Sequence, residues 1–233
     1  MSHPAMIVKH LGLTEYSQTY EAMQQFTRER SNTDPDELWL CEHPSVYTLG
    51  LSEQSTLTPL RADIPCVKTN RGGQITYHGP GQIVAYPLVN LSRLNFFVRE
   101  YVFRLEEAII KTLNHFDVTA HRVASAPGVY VNTQDPHGHG VLRAQNSGPK
   151  GSASEPNFMG LSKIAALGVK VSRHFTYHGL ALNVAMDLSP FSSIHPCGYE
   201  GLNTTDLRSL GLVLNCADVQ PVLAEKLQTY LSP

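Results

Sequence analysis

"NRGGQITYHGPGQIVAYP", residues 70–87, is the densest stretch of this chain. Four glycines and one proline fall within the eleven residues from Arg71 to Gly81. Gly72 and Gly73 can take backbone angles closed to other residues, and they let another group approach the main chain. Between that pair and "HGPG", Gln74–Tyr77 reads as a short strand. Gln82 then opens a longer, more apolar one. The expected result is a strand edge walled by two tight turns, with Arg71 and His78 near its ends. A plain glycine-rich hairpin with a hydrogen-bonded histidine fits the same letters. A phosphate loop does not, because neither GxxxxGK[ST] nor GxGxxG is present.

Working outward, residues 37–43 and 45–50 read as strands broken at Pro44, and residues 64–70 as a further one. Strand candidates follow at 128–132, 162–172 and 175–186. In the last of these, Leu180, Leu182 and Val184 share one face, and Ala181 and Asn183 share the other. His178 and Gly179 repeat the His–Gly pair of residues 78–79. A glycine inside a strand marks close approach by a ligand or by another backbone. Helical spacing appears at 14–30, with Tyr16, Tyr20, Met23 and Phe26 on one face and Thr14 as the cap. It recurs at 97–116, through Phe97, Tyr101, Leu105, Ala108, Ile109 and Leu113. A terminal helix is expected at 218–231, with Asp218 as cap and Pro221 in its first turn. Strands and helices mix without a βαβ rhythm. That predicts an α+β fold with a mixed, mostly antiparallel sheet flanked by helices. The length fits one large domain or two small ones, and residues 132–161, rich in Gly, Ser, Asn and Pro, are expected to be a long mobile loop or insertion. His137 and His139 lie there with no partner to complete a metal-ligand set.

The chain has 233 residues, 42% of them hydrophobic and 16% charged, with a formal net charge of −2. That length can bury a core without disulfides or a structural metal. Near-neutral charge gives no support to general nucleic-acid binding. No run approaches the roughly 18 apolar residues that span a bilayer, and no secretory segment is visible at the start. A soluble cytoplasmic protein with reduced thiols is expected. Of the four cysteines, Cys41, Cys66, Cys197 and Cys216, none has zinc-type spacing. Cys197 stands in "HPCGYEG" (195–201), a turn-forming stretch where a thiol is either incidental or presented to something. Lys163 opens the apolar run "KIAALG" (163–168). Most such lysines are surface residues. Beside a thiol, its ammonium would favour the thiolate and make a usable nucleophile.

Taken together, "RGGQITYHGPGQIVAYPLVNL", "SKIAALGVKVS…FTYHGLALNV" and "MDLSPFSSIHPCGYEG" resemble the octanoyltransferases of lipoate biosynthesis, also called lipoyl(octanoyl) transferases or lipoate-protein ligase B. The resemblance runs from about "LGLTEY" to about "GLNTTDL". It implies the fold of the biotin/lipoate protein ligase superfamily and an acyltransferase activity without a cofactor or metal. The octanoyl group would come from octanoyl-acyl carrier protein. It would be held as a thioester on a cysteine and delivered to a lysine of a lipoyl domain, as the first step of endogenous protein lipoylation. The implied acceptors are the lipoyl domains of 2-oxoacid dehydrogenase E2 subunits and the glycine cleavage H protein, with no nucleic acid and no membrane involved. The implied catalytic pair is Cys197 and Lys163. The implied substrate-binding residues are Arg71, Gly72, Gly73, Gln74, Ile75, Thr76, Tyr77 and His78, then Ala166, Leu167 and Gly168, then Gly179, Leu180 and Ala181.

Around that core, further expectations attach. His78 positions substrate or shuttles a proton. Backbone amides near Gly198 or Gly72–Gly73 are oxyanion donors. Lys68, Arg71, Arg93 and Arg99 supply basic charge toward acidic protein partners. The 132–161 insertion is longer than the family's usual passage. His174 and Phe175 stand where many members have other residues, and are expected to reshape one pocket wall; His195 faces water. Three rivals differ in what they need. An ATP-dependent lipoate or biotin ligase needs ATP and no thiol. An amidotransferase differs in its donor. A silent acyl- or lipoyl-domain-binding module would bind without turnover.

Overall fold

The computed structural model describes residues 5–52, 61–138, 158, 160–194 and 202–232. Seven strands form the larger sheet. In spatial order they are β1 (Ile7–Leu13), β2 (Glu37–Glu42), β6 (Gln82–Leu88), β10 (Phe175–Asn183), β9 (Leu161–Ser172), β8 (Ala126–Asn132) and β7 (Ala120–Val123). Only β1 and β2 run parallel; the other neighbours are antiparallel. A three-stranded sheet holds β4 (Cys66–Lys68), β3 (Val46–Leu49) and β5 (Thr76–His78), with β3 parallel to β4 and antiparallel to β5. The helices are α1 (Tyr16–Glu29), the short α2 (Leu91–Leu94), α3 (Val98–His115) and α4 (Cys216–Tyr230). The expected mixed, mostly antiparallel α+β fold is what the chain forms.

The period-2 pattern of the central strands explains why both sheet faces are covered. Leu38, Leu40, Ile83, Ala85, Leu180 and Leu182 point to one side and pack with Tyr101, Leu105 and Ile109 of α3 and Leu223 of α4. Trp39, Cys41, Val84, Tyr86, Tyr177 and Ala181 point to the other side, against Tyr20, Met23 and Phe26 of α1. Every residue of β10 is buried. A separate cluster, built on Tyr47, Ile75, Tyr77 and Phe191, fills the space under the small sheet. No helix among the described residues is long and apolar enough to cross a membrane.

Some local expectations need correcting. Thr14 does not cap α1: Glu15 holds that position and makes no side-chain cap bond. The Thr14 carbonyl instead accepts from His43 Nδ1–H at 2.7 Å. At α4 the cap is Asn215, and Asp218 is its N3 partner in a reciprocal capping box. β1 and β7 carried no strand signal, because an edge strand with exposed faces needs no apolar alternation. Of the expected insertion at 132–161, residues 139–157 and 159, including His139, lie outside the described residues. Asn132 still belongs to β8 and Leu161 already to β9.

Candidate active site

A cleft opens beside the Arg71–His78 segment. Its floor belongs to β9, β10 and β6. Ala166 pairs with Ala181 and Gly168 with Gly179 across β9 and β10, and Val84 of β6 stands opposite Ala181. These small side chains leave a flat, apolar strip of backbone. Gly179 is a glycine because of its neighbour strand: a Cβ there would overlap the Ala85 carbonyl. Close backbone approach therefore applies to this strand glycine, which also borders the cleft.

The glycine-rich segment forms the opposite wall. Gly72 N–H donates to Val169 O at 3.0 Å, which ties the loop to β9. Gly73 takes φ +82°, open to glycine. Arg71 is buried, and its Nη2 donates to Thr48 O at 2.6 Å and to Thr48 Oγ1 at 2.9 Å. A Cβ on Gly168 would stand 2.9 Å from Arg71 Cδ, so the floor glycine makes room for the arginine. Arg71 lies in the cleft wall rather than on a partner-facing surface. Arg93 also falls short of the surface role expected for it, since it pairs with Asp36 at 2.6 Å. Lys68 and Arg99 are exposed.

Gly73, Gln74, Ile75, Thr76, His78, Leu167 and Leu180 border the cleft together with Arg71 and the floor residues. Gly72 and Tyr77 support it from behind. In β5 the side chains alternate, so Tyr77 points into the cluster under the small sheet and its hydroxyl meets Ser45 Oγ at 2.9 Å. His174 and Phe175 do not shape a wall. Arg173 and His174 take φ +50° and +70° in the turn joining β9 to β10, as a tight hairpin requires, and the Phe175 ring lies 4.7 Å from the Arg30 guanidinium.

Tyr16, Val84 and Tyr86 line the cleft and were not expected. Tyr16 stacks on His78 with ring centroids 5.7 Å apart. Its signal was a phenol inside the apolar stripe of α1, which core packing explains equally well. The histidines here are neutral. Burial, helped by His43 and Arg71, pushes His78 down to about 3. Burial and then Arg71 push His178 down to about 3, and burial also lowers His43. A group titrating that low does not carry a second proton at neutral pH. Tautomers follow from the partners. Gln82 Nε2 donates to Asn183 Oδ1 at 2.9 Å, so Gln82 Oε1 accepts from His78 Nδ1–H at 2.7 Å. Asn183 Nδ2 donates to Thr205 O at 3.0 Å, and Thr205 N–H donates to Lys163 O at 2.9 Å. A polar chain thus runs from the glycine-rich segment to the lysine.

Lys163 is not a surface lysine; only 3% of it is exposed. It borders the cleft, its Nζ donates to Pro127 O at 3.2 Å, and the Tyr130 ring centroid is 5.2 Å away. Lys163 N–H donates to Asn203 O at 2.8 Å, so residues 203–205 follow β9 on both sides of the lysine. Cys197, His195 and Gly198 lie outside the described residues.

The family model for the lipoyl protein ligase A/B catalytic domain matches residues 15–228. An octanoyltransferase of Polaromonas naphthalenivorans is 56% identical over 97% of this chain and 98% of its own length. The chain belongs to the octanoyltransferase family. It is an acyltransferase by that membership. Solved structures agree on the fold. The bi-partite lipoate protein ligase of Thermoplasma acidophilum has a TM-score of 0.66 at 13% identity, over 99% of this chain and 84% of that one. The biotin protein ligase of Aquifex aeolicus, solved with biotin and ATP, has a TM-score of 0.53 at 9% identity, over 97% and 70%. This chain therefore shares its fold with lipoate and biotin protein ligases, and what sets it apart has to come from the site.

Proposed function

We propose that residues 1–233 act as one catalytic domain that moves an octanoyl group from octanoyl-acyl carrier protein to a lipoyl-domain lysine, through a thioester on Cys197. This is the first step of endogenous protein lipoylation, with E2 lipoyl domains and the glycine cleavage H protein as acceptors. The reading is carried by one observation: an apolar strip floored by Ala166, Gly168, Gly179 and Ala181 shares its cleft with a buried lysine. Burying the aliphatic carbons of an octanoyl chain at about 0.8 kcal/mol each supplies on the order of 5 kcal/mol of binding. The Lys163 bonds to Asn203 and Thr205 support the role of Cys197, since they tie the chain shortly after that cysteine to the lysine.

In the first step the Cys197 thiolate attacks the carrier thioester. A new S–C bond forms and the pantetheine thiolate leaves. Lys163 favours the Cys197 thiolate by its positive charge. In the second step the acceptor amine attacks the same carbonyl carbon. The C–N bond forms, the C–S bond breaks, and Cys197 leaves as thiolate. The amine's proton passes through Lys163 to sulfur or solvent. One thioester replaces another and an amide replaces the second, so the sequence runs downhill without ATP. Intact-mass measurement after mixing with octanoyl carrier protein should show one octanoyl adduct, absent in Cys197→Ser and indifferent to ATP. Full transfer by Cys197→Ser, or a strict need for ATP, overturns the mechanism.

A further inference from the structure

We propose that Gly128 is a positioning residue for Lys163, and that its missing side chain is the notch in which the amine end of Lys163 lies. The inference rests on the proposed role of Lys163. Gly128 takes φ +144°, open only to glycine. A Cβ built on it would stand 2.5 Å from Lys163 Cε and 2.9 Å from Lys163 Nζ, with Ala165 O next at 3.0 Å. The space is therefore filled by the cationic end of the lysine rather than by core side chains. The neighbours of Gly128 complete the seat. Pro127 O accepts from Nζ at 3.2 Å, and a register shift between Val129 and Tyr130 sets Tyr130 opposite Lys163. Glu106 of α3 fixes the seat from behind. Its Oε1 accepts from Gly128 N–H at 3.0 Å, while its Oε2 takes Arg122 Nε at 3.0 Å. Helix α3 is thereby linked through one glycine to the amine in the cleft.

The test compares Gly128→Ala, Lys163→Ala and the double variant by steady-state transfer, by the pH profile of Cys197 alkylation, and by thermal midpoint. Gly128→Ala should leave KM for the octanoyl donor within about twofold and lower kcat on the order of a hundredfold, the cost of about an ångström of misplacement. Its alkylation profile should move in the same direction as that of Lys163→Ala. In the Lys163→Ala background, Gly128→Ala should cost no further activity and less stability. Losses that simply multiply, or a kcat that falls only with the folded fraction, overturn the proposal. Full activity in Gly128→Ala with none in Lys163→Ala sinks this inference alone. Full activity in Lys163→Ala sinks the reading of the site and this inference with it. Where Gly128→Ala does not fold, a double variant that folds supports the proposal, because removing the lysine makes room for the methyl. Where the double variant also fails, the φ of +144° accounts for it, and Glu106→Ala, which removes the acceptor of Gly128 N–H, takes its place: an alkylation profile moved as in Lys163→Ala supports the proposal and an unmoved profile refutes it.

Discussion

His78 and His178 sit in the cleft wall as neutral imidazoles because folding has taken them out of water. Their stability consequence has a definite sign. Burial pushes both down to about 3 in the fold from an ordinary value of 6.5, so below pH 6.5 the unfolded chain binds protons that the folded chain refuses. Stability is complete above pH 6.5 and falls as pH drops toward 3. At pH 5.5 each imidazole should cost about 1.4 kcal/mol relative to neutral pH. Urea midpoints at pH 7.5 and 5.5 should differ, and the difference should shrink in His78→Asn/His178→Asn. Equal midpoints in the parent protein would contradict this. The His–Gly pairs were visible in the sequence. Their charge state was not, because it depends on how much protein surrounds each ring.

At the scale of elements, β9 and β10 build the floor by register. Ala166 meets Ala181 and Gly168 meets Gly179, so one strip of small residues crosses both strands. Gly179 cannot grow without striking β6, whereas Ala181 faces the cleft. Ala181→Leu should fill part of the groove and shift preference from octanoyl to shorter acyl groups. Each methylene lost or gained in such a pocket changes selectivity by roughly tenfold or more. Ratios of kcat/KM for butyryl, hexanoyl and octanoyl carriers would measure it, and an unchanged ratio would show that the acyl chain lies elsewhere. The alternation that placed Ala181 and Leu180 on opposite faces was readable, because strand geometry is local. The start of α1 was not: Thr14 is a good cap by type, but its carbonyl is engaged by His43, a partner remote in sequence.

Across the whole molecule, the sheet is held between α1 on one side and α3 with α4 on the other. Leu223 of α4 is fully buried in the larger cluster. Leu223→Ala should lower unfolding free energy by about 2–5 kcal/mol, read from the denaturant midpoint. The folded fraction should keep its transfer rate; a lost rate at normal stability would mean that α4 bears on the site directly. The sequence by itself determined the class of fold, the order of most elements and the three motif stretches, since these follow from periodicity, turn chemistry and specific runs of letters. Only the tertiary structure decided that Lys163 is buried, that Gly128 gives it room, that Tyr16 and Tyr86 close the cleft and that Arg71 and Arg93 turn inward. Each of those depends on atoms brought together from distant parts of the chain. Burial and contact there are set by how two layers of helices pack on a sheet, and no local rule of backbone or side chain carries that information.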